Sequence, residues 1–311
     1  MYWVFVALSS YLLLAVANIF DKYLVDNVLK NSKAYAFIAC IMGSIVFLVS
    51  PWFLNWPGFT IFLFNILNGF VFAIALWMLY ESLLKGEASS VLVFIGGLTP
   101  IFSLIFSLLF FKEVYSLNQW LGLFVIITGV FFIAFLPKRR SWLSRVLKKL
   151  KISFKEKKGG LIFATLSALF YSLYFVGTKI AYRDQEFLSA FIWTRLGAAI
   201  FVLLFLFSLK NRIAIKELLS KKSPNANKFL VVINQIIGSI GFVLQNYAIF
   251  LGSVVLVNAL QGTQYAFILI ISAILALLKP KLLKEKFSKK ILIQKIAAVL
   301  FIGVGMYLLT T

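Results

Sequence analysis

Residues 75–133 read ALWMLYESLLKGEASSVLVFIGGLTPIFSLIFSLLFFKEVYSLNQWLGLFVIITGVFFI. The stretch holds three apolar runs, 61–84 (begun upstream), 89–111 and 120–136, parted only by short connectors around Lys85-Gly86-Glu87 and Lys112-Glu113. A bilayer core about 30 Å thick takes roughly 20 residues of helix, so each run is long enough for one crossing. Connectors this short force each crossing to run back against the one before. A β-barrel would show alternating runs of about ten residues, and these runs are continuous. Helices follow, because in lipid every backbone polar group must be satisfied within its own segment.

Outward from this stretch the same pattern fills the chain. Ten spans meet the criterion: 3–20, 35–53, 61–84, 89–111, 120–136, 160–178, 188–209, 229–251, 253–278 and 291–309. Of the 311 residues 62% are hydrophobic and only 13% charged, too few charges to cover a soluble surface. That excludes a soluble enzyme, a disordered chain and a disulfide scaffold. The single Cys allows no internal disulfide, and the absence of His removes the commonest metal ligand and catalytic base. The first span lacks a basic leader and a small-residue cleavage site, so it reads as a helix that stays, ending where Asp21-Lys22 begins.

A net charge of +21 suggests nucleic acid until the charges are placed. Connectors after odd-numbered spans hold 26 Lys or Arg, and those after even-numbered spans hold 3. Positive loops stay cytoplasmic, which predicts cytoplasmic odd connectors, both termini outside, and a cell-membrane location. Nucleic acid is not a partner on this reading. The longest basic connector, 138–159, carries Leu143, Leu147, Leu150 and Phe154 at helical spacing among its cations. Over 138–158 it reads as an amphipathic helix on the anionic cytoplasmic leaflet, or else as a tether.

The chain also repeats itself. Ala36-Phe37-Ile38 with Gly43 recurs as Ala190-Phe191-Ile192 with Gly197, and SSVLV at 89–93 recurs as SVVLV at 253–257. Thr99 then falls on Thr263, Lys22 on Lys179, Glu113 on Glu285 and Gly129 on Gly305. The units are 1–137 and 160–311, five spans each. An odd number of spans turns the second copy over, so the fold class is an all-α integral membrane protein of ten transmembrane helices in two inverted five-helix repeats. Such repeats mark secondary transporters, with the substrate site near midplane where the halves meet.

The 75–133 stretch resembles an EamA-type unit of the drug/metabolite transporter superfamily. An Ala-Ser pair (Ala88-Ser89) opens the fourth span, Pro100 lies within it, Glu113 sits in the following turn, and Gly122 and Gly129 share one face of the fifth. The resemblance implies ten helices, paired inverted repeats and alternating-access movement of small metabolites. Three features depart from the pattern. Gln264 stands where the second copy should carry Pro, KPKLLKEK lengthens the turn before the tenth span, and the charge bias puts the termini on the side opposite to that of most relatives.

Polar residues within apolar spans name the candidate site, since intramembrane charge costs about 2.5 kcal/mol or more and should face a cavity or a partner. Arg195 lies about two turns into the seventh span, where the first copy has Ile41. It reads as a fork for a substrate carboxylate or phosphate, or as an ion pair with Asp184 or Glu186. Glu81 reads as a substrate or proton ligand, or as an interfacial partner of Lys85. Asn258, Gln261 and Tyr265 fall on one helical face of the ninth span. Gln245, Asn246, Trp77, Tyr174 and Trp193 complete the predicted cavity lining, with Gln235, Gln264 and Tyr171 among its neighbours. Lys22 and Lys179 are entrance candidates, or plain cations at helix C-termini. Amides and hydroxyls also hold helices together, so part of this set is scaffold.

No phosphate loop, zinc-ligand spacing or nucleophile elbow occurs, so no catalytic residue, metal or cofactor is expected. The chain reads first as a secondary transporter or exporter of small polar metabolites, amino acids among them, as a monomer or homodimer. A flippase for a phosphate-bearing lipid or nucleotide sugar is the alternative, and a non-transporting accessory subunit is a third reading.

Overall fold

The computed structural model describes residues 2–27, 31–85, 88–111, 115–134, 154–219, 225–278, 300–301, 303–305 and 307–308. Every regular element among them is helical. In chain order these are α1 (Tyr2–Asn27), α2 (Ser32–Gly43), α3 (Ser50–Phe53), α4 (Phe59–Lys85), α5 (Ala88–Phe110), α6 (Leu117–Ala134), α7 (Phe154–Asp184), α8 (Phe187–Leu203), α9 (Leu209–Leu219), α10 (Asn225–Leu251), α11 (Val254–Ala259) and α12 (Gln261–Leu278). Six stretches among the described residues are long and apolar enough to cross a membrane, and shorter apolar helices stand at Phe94–Phe110, Leu117–Gly129 and Val254–Ile268. Most of the tenth expected span lies outside the described residues, as do Glu113, Glu285 and the linker up to residue 153. Residues 154–159, expected to close the linker, instead open α7.

Four expected spans change shape. The helical ladder of α1 continues past Asp21 to Asn27, so the charge that was expected to end the span lies on the helix. The second span begins at Asn31, whose side chain caps α2 by accepting from the Ala34 N–H at 3.0 Å, and it tightens to a 3-10 turn over Ser44–Val49. The seventh ends in a 3-10 turn at Leu204–Phe207. The ninth breaks at Leu260, between α11 and α12. The basic connector after the seventh span contains a helix of its own, α9. Its Asn211 and Arg212 side chains donate to the Phe205 and Leu206 carbonyls at 3.1 and 2.6 Å, satisfying the end of the preceding turn. Gly58, at φ +87°, makes the left-handed turn into α4.

Two intimate pairings organise the interior: α4 with α7, and α1 with α10. Small residues and hydroxyls let the backbones approach. Ser167 of α7 donates to the Ala75 carbonyl of α4 at 2.9 Å, and Ser10 of α1 to the Gly241 carbonyl of α10 at 2.7 Å. Tyr11 of α1 reaches the Val257 carbonyl of α11 at 2.7 Å. Gly305 closes on α6, where an added Cβ would stand 2.9 Å from the Gly122 carbonyl, as the small-residue faces of the fifth and tenth spans suggest. Large apolar side chains face outward instead: Leu48, Trp52, Phe124 and Phe207 are mostly exposed, as a lipid-facing surface requires.

Candidate functional site

A cavity of about 510 Å³, in the range of small-molecule sites, lies between the long helices. Its walls come from both halves. α1 contributes Asn18 and Asp21, α2 Met42 and Gly43, α4 Phe72 and Tyr80, α5 Thr99, α7 Tyr171, α8 Phe191 and Arg195, α10 Asn234, Gln235 and Gln245, and α12 Gln261 and Gln264. Most lie well inside the membrane spans that carry them, so the cavity sits at mid-depth.

Arg195 dominates its electrostatics. The residue is 4% exposed, and its guanidinium is stacked among the rings of Phe72, Phe242 and Phe191 at 4.1, 4.5 and 4.7 Å. Among the described residues its only hydrogen bond to another side chain is a long one, Nη2 to the Tyr174 hydroxyl at 3.5 Å, and Nε has no partner. Among the described residues no carboxylate lies within ion-pair distance, so the expected alternative of a pair with Asp184 or Glu186 is not what holds it. Ring faces attract the cation, by about 2 kcal/mol or more when desolvated, but they do not neutralise it. Burying a charge costs several kcal/mol, so an unpaired guanidinium on a cavity wall is a ready anion site. It persists because Tyr174, beneath it, is fixed by donating to Asn246 Oδ1 at 2.8 Å. A Cβ on Gly43 would stand only 3.7 Å from Nη1, so the α2 backbone reaches the site directly.

The other fixed charge on the wall is Asp21, which sequence reading placed at the end of the first span and left out of the site. The Tyr35 hydroxyl and Asn234 Nδ2 donate to its Oδ1 at 2.8 and 2.6 Å, and Gln235 Nε2 donates to the Tyr35 oxygen at 3.0 Å.

The remaining expected residues separate. Gln245 and Gln261 line the cavity with Arg195, Gln245 donating to the Tyr11 hydroxyl at 3.4 Å while Gln261 Oε1 is unpartnered. Tyr174 and Asn246 form the support beneath. Glu81 does not line the cavity: it pairs with Lys85 at 2.8 Å and accepts from Ser32, the interfacial alternative. Trp77 lies under the Lys33 ammonium at 4.6 Å and against Phe205, away from the cavity. Trp193 donates to the Asn55 carbonyl at 3.0 Å in a cluster with Trp56 and Phe62 at the end of the bundle that carries Tyr2. Asn258 is turned onto Ser103 at 2.8 Å and does not line the cavity with Gln261, from which the break at Leu260 separates it. Lys179 holds the Ile249, Phe250 and Gly252 carbonyls at 2.9, 3.1 and 2.8 Å, which joins α7 to the end of α10. The Lys22 and Tyr265 side chains lie outside the described part of the structure. Among the described residues no three His, Cys, Asp or Glu gather as metal ligands.

No curated protein matches the sequence. A solved structure described only as a crystal structure of a protein shares the fold, with a TM-score of 0.66 over 99% of this chain and 98% of that one at 15% identity. A sequence model of the EamA-like transporter family matches twice, at residues 1–135 and 158–311. The two matches meet at the basic linker and cover nearly the whole chain, so this multi-pass membrane protein belongs to the EamA-like transporter family, within the drug/metabolite transporter superfamily.

Proposed function

We propose that the chain is a secondary transporter that carries a small anionic or zwitterionic metabolite, an amino acid being the simplest fit, through the mid-depth cavity. One observation carries the reading: a guanidinium 4% exposed, held by rings and by no carboxylate among the described residues, on the wall of a cavity of about 510 Å³. A substrate carboxylate or phosphate would supply the missing charge through two parallel hydrogen bonds. The amides of Gln245, Gln261 and Gln264 would then receive its polar remainder, and Phe72 and Phe242 its apolar part. Movement would come from rocking of the two repeats, each turned over relative to the other, so that the cavity meets one aqueous side at a time. The excess of basic residues in the odd connectors supports a cytoplasmic location for that face and an external one for the termini.

A second reading, a flippase for a phosphate-bearing lipid, has one observation in its favour. Ile45 of the second span and Ile236 and Ile240 of α10 line the cavity yet are 56%, 47% and 51% exposed, so the wall is open between those helices at mid-depth. An acyl chain would leave the site there.

Thermal stability of the purified protein with a panel of amino acids, short carboxylates, sugar phosphates and alkyl phosphates tests both. Stabilisation by a water-soluble anion, lost in Arg195→Gln, supports the first. Stabilisation only by alkyl phosphates moves the reading to the second. The same shifts in wild type and Arg195→Gln would remove the anion site altogether.

A further inference from the structure

The cavity wall carries a carboxylate that the anion site does not use. Asp21 lies on α1, and its Oδ1 accepts from Tyr35 of α2 at 2.8 Å and from Asn234 of α10 at 2.6 Å. Gln235 of α10 donates to the same Tyr35 oxygen at 3.0 Å. One oxygen thus ties three helices together, two from the first repeat and one from the second. Oδ2 receives no hydrogen bond among the described residues, and Asp21 faces the cavity. No described cation comes within ion-pair distance of it.

Among the described residues, the groups around it are neutral or form no ion pair with it. Among the described residues, Tyr35, Tyr80 and Tyr171 of α2, α4 and α7 are titratable groups that feel its charge. α10 presents the uncharged Asn234 and Gln235, α5 presents Leu92, Ile95 and Thr99, and α12 presents Gln261 and Gln264. Arg195 of α8 shares the cavity but forms no ion pair with it. Lys33 of α2 is turned onto Trp77, and Lys22 is the neighbour in sequence.

We propose that Asp21 is a proton-binding site, and that taking up a proton loosens α2 and α10 from α1 and opens the cavity at that end. The ionised carboxylate accepts charge-assisted hydrogen bonds, about twice as strong as neutral ones. One proton from solvent converts it to a neutral acid, with no other bond made or broken. The proton takes Oδ2, the oxygen that receives no hydrogen bond among the described residues, and leaves Oδ1 a neutral carbonyl that Tyr35 and Asn234 hold more weakly. At the far end of α10, Lys179 grips the Ile249, Phe250 and Gly252 carbonyls, groups that this proton does not change. A proton on Asp21 therefore acts at the end of the cavity where α1, α2 and α10 are tied together, as coupling a proton gradient to alternating access requires. The clasp answers to the proton whether or not Arg195 binds a solute, so the inference stands apart from the anion site.

The test uses the full chain in lipid nanodiscs, with Cys40→Ala and spin labels on Ile41→Cys of α2 and Phe229→Cys of α10, both exposed positions. Pulsed electron-spin distances are compared at pH 5.5 and pH 8. The wider population should rise about fivefold at the lower pH. Asp21→Asn should show the wide distribution at both pH values, as should Tyr35→Phe, which removes the α2 arm and leaves the carboxylate. Glu81→Gln should keep the wild-type response. Identical wild-type distributions at both pH values, or a pH response retained in Asp21→Asn, would overturn the proposal. A narrow distribution in Tyr35→Phe at pH 8 would overturn the clasp.

Discussion

The α4–α8 seam and the α2–α10 pair occupy corresponding places when the two repeats are exchanged, and they differ sharply. α4 and α8 pack along much of their length and touch backbone to backbone at two glycines. A Cβ on Gly69 would stand 2.1 Å from the Thr194 carbonyl oxygen, and one on Gly197 2.2 Å from that of Ile66. α2 and α10 make few contacts, meet through Tyr35 and Gln235, and leave the cavity between them. Gly43, which matches Gly197 in the repeat, would place a Cβ no nearer than 3.7 Å to anything. A duplicated sequence thus holds one seam shut and its twin apart. On the proposed function this is one state of a rocking pair, and the opposite state closes α2 on α10 at Gly43.

The largest effect should come from the closed seam. Gly197→Leu would drive a side chain into the α4 backbone, a cost of about 3 kcal/mol or more, and should abolish the monodisperse purified protein. Arg195→Gln should leave the fold intact and weaken binding of an anionic solute by about ten- to a hundredfold in calorimetry, the worth of a hydrogen-bonded charge pair. Gly43→Val sharpens the comparison. It should change the melting temperature little in the state described, where a Cβ meets only the Arg195 guanidinium at van der Waals distance, yet slow transport about tenfold by propping α2 away from α10. Equal damage to folding from Gly43→Val and Gly197→Leu would break the comparison. The smallest effect belongs to Glu81→Gln, which loses an i,i+4 pair worth about 0.5 kcal/mol and should transport as wild type.

The helical, membrane-spanning character and the two-repeat layout were legible because lipid forces every crossing to carry an apolar run, though six long apolar stretches among the described residues do not fix the expected count of ten. Arg195 was legible as a lone charge within such a run. Asp21 was not, since a carboxylate followed by Lys22 reads as the end of a span, and a helix continues past a charge only when neighbouring helices receive it. Those neighbours, Tyr35 and Asn234, are 14 and 213 residues away. Glu81 carried a cue to its role in Lys85, one turn on. The shared face of Asn258, Gln261 and Tyr265 assumed an unbroken helix, and the break at Leu260 follows no Pro. α9 was hidden by its charge, which counted toward topology while Ile215, the apolar side chain that the helix buries, went unread.

Counterflow in proteoliposomes tests the central claim most directly. Vesicles loaded with an unlabelled solute that stabilises the purified protein are given the labelled solute outside. Wild type should accumulate the label at least about tenfold above empty vesicles, and Arg195→Gln, equally folded and equally reconstituted, should not. Equal counterflow by both proteins would contradict the account, because the buried guanidinium would then have no part in carrying the solute.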